Sequence, residues 1–495
     1  MRKPLLSAHC HVFYILVLIN TIHGLLLPIN QEARQLPTHR SRRESNEFIA
    51  QSGNGSIAVA NVDDRFYNVN VVLGGAVFTV GLDTGSSDLW VSGDVPSTKN
   101  VSAQKVHLDY AGGTVSGSIN TAELTLGSFT VSDQAYLKAD TAQLGRGGAN
   151  GILGIGPSSI SAINKKYSSS KGEPFLSRIF KQNATLENYF TIFLSRSPDV
   201  EPPMAEAEVG QFTLGEVIPL FEDIVNTSKL PVINDQYHSQ RWEILLDANG
   251  VIGPDGEKIN TTTRIKNPQS GAQTQLRVAF DSGFTMPQLP RNVVDAIYGR
   301  VPGALFYQNG SGIGLAQWTN FWTIPYELNI SFIFANQAFP IAPLDLTLQG
   351  HDPSGNDICA AREMDEAIIQ DAGFGALDMI LGEAFLRNTY MLVHVGDLMD
   401  ESSGGNPYIQ LLSTADKRVI HEEFVAARLN GIDTTGSQPA LLGQSQAQQS
   451  PPPLNSTGLT PIPAGSSSPS NGGSSDYQQA WFIFPVTFIW LASMW

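Results

Sequence analysis

A chain of 495 residues exceeds what one hydrophobic core ordinarily organises, so two or more lobes and processed ends are expected. Hydrophobic residues at 42%, with 46 glycines and 29 prolines, describe a chain that is mostly folded. The formal net charge of −16 argues against a nucleic-acid partner, since a phosphate backbone is held by Lys and Arg; an acidic surface suits a secreted protein that stays soluble at low pH.

Residues 1–24 start with Arg2 and Lys3, pass through the apolar run from Val12 to Ile19 and reach Gly24. This is the layout of a secretory signal peptide, and the run is short for a membrane-spanning helix. Next comes LLLPINQEARQLPTHRSRRE, rich in Arg and His within an acidic protein. The dibasic pair Arg42-Arg43 lies in a polar, exposed setting where a processing protease could cut. Residues 25–43 are therefore read as a propeptide that could lie over an acidic site, in preference to a mere basic loop.

The body reads as strands. RFYNVNVVLGGAVFTVGLDTGSSDLWVS alternates apolar and polar residues about the Gly74-Gly75 turn, a hairpin pattern. AGGTVSGSINTAELTLGSFTVSDQAYL repeats that grammar. Helical spacing is confined to short stretches near 174–182 and 289–301, so the fold class expected is all-β with a few short helices. A coarse duplication accompanies it. VGLDTGSS, residues 80–87, is echoed by VAFDSGFT, residues 278–285, which places Asp83 and Asp281 198 residues apart. Each turn is followed later by an apolar pair ending in Gly: Ile152-Leu153-Gly154 and Ile380-Leu381-Gly382. Two related lobes, 44–225 and 226–415, would each present one Asp loop at a shared cleft.

From 416 to 471 a Ser-, Gly- and Pro-rich stalk is expected, because a stretch such as PPPLNSTGLTPIPAGSSSPSNGGSS cannot bury enough apolar area to fold. Small residues at 471–474, a polar spacer and the apolar tail WFIFPVTFIWLASMW are the features of a glycosylphosphatidylinositol (GPI) attachment signal. Asn471 is the expected attachment residue, and 472–495 would be removed. A tail anchor is the weaker reading, because the run of 15 residues is broken by Pro485 and falls short of the roughly 20 a spanning helix needs. Eight sequons, at Asn54, Asn100, Asn183, Asn226, Asn260, Asn309, Asn329 and Asn455, fit export. Cys10 lies in the signal peptide, which leaves Cys359 alone and no intrachain disulfide in the mature chain.

FTVGLDTGSSDLWVS and DMILGEAFLRNTYMLVHV resemble the pepsin-like aspartic proteases, a resemblance that covers roughly residues 60–413. With the anchor and the dibasic propeptide, the whole is similar to the surface-anchored fungal members called yapsins. The resemblance implies a bilobal all-β fold and an aspartic-type endopeptidase, a hydrolase of protein or peptide substrates that is monomeric and needs no metal or other cofactor. It places the protein on the outer face of the plasma membrane through a GPI lipid, or in the cell wall. Such enzymes tend to cut beside basic residues, although the acidic pocket residues for that preference are not evident in this sequence.

Asp83 and Asp281 would then form the catalytic pair. Two carboxylates sharing one proton can deprotonate a water and protonate a carbonyl oxygen, and because both cannot ionise at close range their pKa values split. The competing reading, an Asp that merely caps its own turn, is respectable for any Asp-x-Gly; the flanks of Asp83 and the apolar lead-in to Asp281 argue against it. Gly85 and Gly283 would let backbone N–H groups reach the carboxylates. By resemblance, Thr84 and Ser282 would bond across to the opposing loop, and Ser86 would donate to Asp83. Phe284 stands where the second loop would carry the equivalent hydroxyl, with Thr285 beside it as a substitute donor. KVHLDYAGGTVSGSI, residues 105–119, would be a flap with Tyr110 as its tyrosine, Trp90 as the residue that bonds it, and Gly112 and Gly113 facing substrate. Cys359 is expected to be a buried free thiol. The rival function is a non-catalytic peptide- or protein-binding protein on the same fold.

Overall fold

The computed structural model describes residues 55–450, apart from 63, 112, 143–147, 197–209, 234–240, 266–271, 309–319, 324–326, 352–356, 362–363, 366–376 and 399–404. Within that span the chain is built from strands with a few short helices, as the alternation of the sequence requires. Arg42, Arg43, Asn471 and the sequons at Asn54, Asn309 and Asn455 lie outside the described residues.

A thirteen-stranded sheet ties the two halves together. The first half contributes hairpins whose registers follow the apolar alternation. Phe66–Leu73 pairs with Ala76–Asp83 across Gly74 and Gly75, both at positive φ (58° and 90°), a conformation that suits a two-residue hairpin turn and favours Gly. Tyr189–Phe193 then pairs with Thr389–His394 of the second half, so the halves share backbone hydrogen bonds as well as packing.

The duplication visible in the sequence is a duplication of topology. Ala76–Asp83 runs parallel to Gly151–Gly154, with Asp83 opposite Gly154, and Leu89–Val91 lies antiparallel on the far side of Gly151–Gly154. In the second half Arg277–Phe280 runs parallel to Met379–Leu381, which takes Gln288–Leu289 antiparallel. Each Asp loop is therefore the exit of a buried strand. The strand behind Asp281 is backed by aromatics: the Phe280 ring lies 5.6 Å from Phe385 and 5.8 Å from Phe334. Burying each such ring contributes about 1.5–3 kcal/mol.

Buried charge joins the lobes. Arg387 donates to Asp345 at 2.6 Å and to the carbonyl of Asp64 at 3.1 Å; Arg196 donates to the other oxygen of Asp345 at 2.7 Å and to Asn388 at 2.6 Å. Removing one partner of such a network typically costs about 3–5 kcal/mol, because a buried charge is left uncompensated.

The structure corrects the expected start of the stalk. Lys417–Arg428 is a helix capped by Asp416, which accepts the N–H groups of Arg418 and Val419. Ile420, Phe424 and Val425 are buried on one face of it, at the i, i+4 spacing of an amphipathic helix. Its His421 sits between Glu327 at 3.1 Å and Asp433 at 3.3 Å; the hydrogen bond to Glu327 leads in raising the imidazole pKa. The chain then runs back along the second lobe. Leu442 exchanges backbone and side-chain bonds with Arg300, and Ser450 donates to Asp295 from its hydroxyl at 2.6 Å. Folded structure thus reaches Ser450 rather than residue 415, because polar residues that lack a core of their own are satisfied by a wall already built.

Asn100, Asn226, Asn260 and Asn329 are exposed. Asn183 is half-buried, with its amide donating to the carbonyl of Ile179 at 2.8 Å. Cys359, expected to be buried, is half-buried.

Candidate active site

The two Asp-x-Gly loops meet. The backbone N–H of Thr84 donates to the hydroxyl of Ser282 at 3.0 Å, and that of Ser282 to the hydroxyl of Thr84 at 2.9 Å. Each hydroxyl passes its own proton to a carbonyl deep in the opposite lobe, Thr84 to Phe280 at 2.9 Å and Ser282 to Leu82 at 2.7 Å. Four reciprocal bonds fix the separation of the loops.

That lock brings the carboxyls of Asp83 and Asp281 together, each beside the glycine of the opposite loop. Gly85 N–H donates to Asp83 Oδ1 and Gly283 N–H to Asp281 Oδ1, both at 2.8 Å. The glycines are dictated by the approach of the opposite carboxylate: a Cβ on Gly85 would lie 1.9 Å from Asp281 Oδ2, and one on Gly283 would lie 2.8 Å from Asp83 Oδ1.

The loops differ at the fourth residue, as the sequence suggests. Ser86 Oγ donates to Asp83 Oδ2 at 2.5 Å. Phe284 turns its ring onto Ala279, Leu377 and Ile380, and Thr285 does not substitute for the missing donor, because its hydroxyl bonds the carbonyl of Arg65 at 2.8 Å. The pKa of Asp281 is raised well above the ordinary carboxyl range, first by burial and then by the neighbouring charge of Asp83; Gly283 N–H and the Arg241 charge oppose the rise.

Above the pair lies a cleft of about 590 Å³ whose lining includes Asp83, Ser86, Tyr110, Arg241, Asp281 and Phe284. Lys99–Tyr110 and Gly113–Leu126 form the hairpin over it, and Gly113 is at φ 145°. Gly112 lies outside the described residues. Tyr110 is half-buried against the cluster around Trp90, Val115 and Leu137. Its phenol is pushed well above its usual pKa, by burial foremost and then by Asp83 and Asp88, while hydrogen bonds with Trp90 and Ser86 oppose the rise. The hairpin tyrosine is thereby connected through Ser86 to Asp83.

Two residues of the site went unnoticed in the sequence. Asp88, at the cleft edge, is buried and accepts Ser161 Oγ at 2.5 Å and the N–H of Ala162 at 2.8 Å, which caps a short helix. Arg241 reaches the cleft from the segment before Glu243–Leu245. Neither carries a local motif.

Comparison with known proteins accords with this geometry. Residues 92–398 match the family model for eukaryotic aspartyl proteases. The chain is 24% identical over 381 residues to the major aspartyl peptidase 1 of Cryptococcus neoformans, covering 70% of each protein. It is 23% identical over 406 residues to cathepsin D of Dictyostelium discoideum, covering 76% of this chain and 93% of that one. The crystal structure of an aspartic proteinase from Irpex lacteus superposes with a TM-score of 0.51 at 19% identity, over 73% of this chain and 97% of the other. With a matched family region of more than half its length, the chain belongs to the eukaryotic aspartyl proteases, bilobal all-β hydrolases of the pepsin type that act on proteins and peptides.

Proposed function

We propose that this aspartic endopeptidase works through Asp83 and Asp281, and that it does so at the cell surface. The observation that carries the first part is the carboxyl pair brought together by the Thr84–Ser282 lock under the hairpin that lines the cleft. Asp83, with Ser86 and Gly85 donating to it, is the member whose negative charge is stabilised; it acts as base towards the attacking water. Asp281, buried beside that charge, holds the shared proton and delivers it to the carbonyl oxygen of the scissile bond. The intermediate is then a neutral gem-diol, with the negative charge moved to Asp281, and Tyr110 and its hairpin exclude bulk water from it.

Phe284 tunes this arrangement. A hydroxyl in its place would donate to the ionised form of Asp281, a bond that contributes roughly 1.5–3 kcal/mol, equivalent to about one to two pKa units. Activity requires Asp281 protonated, so the upper limb of the pH profile follows its apparent pKa. Phe284→Thr should therefore move the upper limb of kcat/KM to lower pH by about one unit and leave the lower limb nearly in place. An upper limb that stays put or rises would contradict the assignment. The missing donor also favours a second reading, a peptide-binding protein without turnover; a wild-type protein with no measurable hydrolysis, rescued by Phe284→Thr, would support it.

The surface location rests on sequence. Residues 1–24 direct export, cleavage after Arg43 would release the propeptide, and the tail after Asn471 supplies a GPI anchor, with residues 451–471 as tether. Phosphatidylinositol-specific phospholipase C should then release the protein from membranes; retention after treatment would defeat the anchor.

A further inference from the structure

The strand Ala76–Asp83 ends at Asp83, and Gly81 stands two residues before it, on the same face of the strand and roughly 6–7 Å away. The cross-strand partner of Gly81 on Phe66–Leu73 is Asn68, and its partner on the parallel strand Gly151–Gly154 is Ile152. All three line the cleft together with Asp83. A glycine inside a strand marks a place where another group approaches closely. Crowding does not impose it here: a Cβ on Gly81 would lie 3.8 Å from Asn68 Oδ1 and 3.8 Å from Ile152 Cγ1, both ordinary contact distances.

Asn68 is only 3% exposed, and its Oδ1 accepts no hydrogen bond among the described residues. A buried acceptor left unpaired is disfavoured and uncommon in folded proteins. The next pair along the same face shows what is missing. Asn70 faces Thr79, and the Thr79 hydroxyl donates to Asn70 Oδ1 at 2.9 Å. Gly81 has no side chain with which to do the same for Asn68, so the donor is left to come from the cleft.

We propose that Asn68 is a specificity-determining residue of the cleft: the gap over Gly81 receives a substrate side chain close to the scissile bond, and Asn68 Oδ1 accepts a hydrogen from an uncharged N–H donor at its tip, the carboxamide of a glutamine. The proposal rests on the endopeptidase reading given above. The glutamine stem packs on Ile152, and its amide restores the bond that Thr79 gives Asn70. A lysine fits less well, because burying a full charge against a neutral amide is costly. Asp83 is the only carboxylate of these two strands, and it is committed to the attacking water. A pocket that offers a buried acceptor rejects an analogue that lacks the donor, since the acceptor is then left unpaired.

The test uses the full-length protein and matched peptides with Gln, Met or Glu at each position flanking the scissile bond, Met being close to Gln in length but without a donor. At one position wild type should favour Gln over Met by about tenfold in kcat/KM. The Glu peptide should approach the Gln peptide as pH drops through the glutamate pKa of about 4.3, because the carboxylic acid then gains a donor. Asn68→Leu should turn the preference towards Met. Gly81→Thr, which fills the gap and supplies an internal donor, should erase it, and this variant decides the matter alone if Asn68→Leu does not fold. Equal rates for Gln and Met at every position in wild type, or a Gln preference that survives in Gly81→Thr, would overturn the proposal. The same series made with a reduced, uncleavable bond separates the two claims. Loss of cleavage with Gln-selective binding would defeat the endopeptidase reading alone; equal Kd values for the Gln and Met analogues would defeat the role of Asn68.

Discussion

Asp83→Asn should lower kcat on a peptide substrate by about 10²–10⁴-fold, the contribution expected of a positioned general base, with little change in thermal stability. Asn keeps the shape of Asp and can still accept the Gly85 N–H that now reaches Oδ1 at 2.8 Å. What it lacks is a basic oxygen for the proton of the attacking water. The Thr84–Ser282 bonds do not involve the carboxylate, so the lobes should remain joined. Steady-state kinetics at acid pH, paired with a melting curve, checks both halves. A variant that keeps more than a tenth of wild-type kcat, on the scale of that estimate, would remove Asp83 from its assigned role.

Gly85→Ala should be nearly as damaging although it removes no functional group. The added methyl would sit 1.9 Å from Asp281 Oδ2 and 2.2 Å from its Cγ, well inside van der Waals contact, so the carboxyl pair must part. A displacement of about 1 Å at reacting groups costs on the order of 10²-fold in rate. Gly436→Ala is the matching control: nothing lies within 4 Å of its Cβ position, and it should behave as wild type. Gly85→Ala activity equal to that of the control would show that the pair is not held as close as described.

Much of this site was legible because its signals are local. Gly85 and Ser86 both donate to Asp83 within a single turn, and the strand before them must be apolar because it is buried between Gly151–Gly154 and Phe66–Leu73. The second loop could be paired with the first because the lobes repeat one strand order. Arg241 was not legible: its neighbour Trp242 bonds Ile155, 87 positions away, and no alternation or motif announces that contact. The Arg387–Asp345–Arg196 network was hidden for the same reason, with partners 149 positions apart between Arg196 and Asp345. The misplaced start of the stalk has a different origin. Composition measures whether a segment can fold alone and is blind to a wall supplied by another part of the chain, which for 417–450 is formed by Arg300, Asp295 and Glu327. The apolar spacing of Ile420 and Phe424 was the available signal.

The central claim is that this cleft breaks peptide bonds with two carboxylates, and the most direct measurement is incubation of the purified wild-type protein with a mixed peptide library across the acid range, with products read by mass spectrometry. The account predicts discrete cleavages at acid pH that vanish in Asp83→Asn and in the presence of a hydroxyl-bearing peptide analogue of the transition state. A library that stays intact while the analogue binds at full occupancy, or cleavages that persist unchanged in Asp83→Asn, would contradict it.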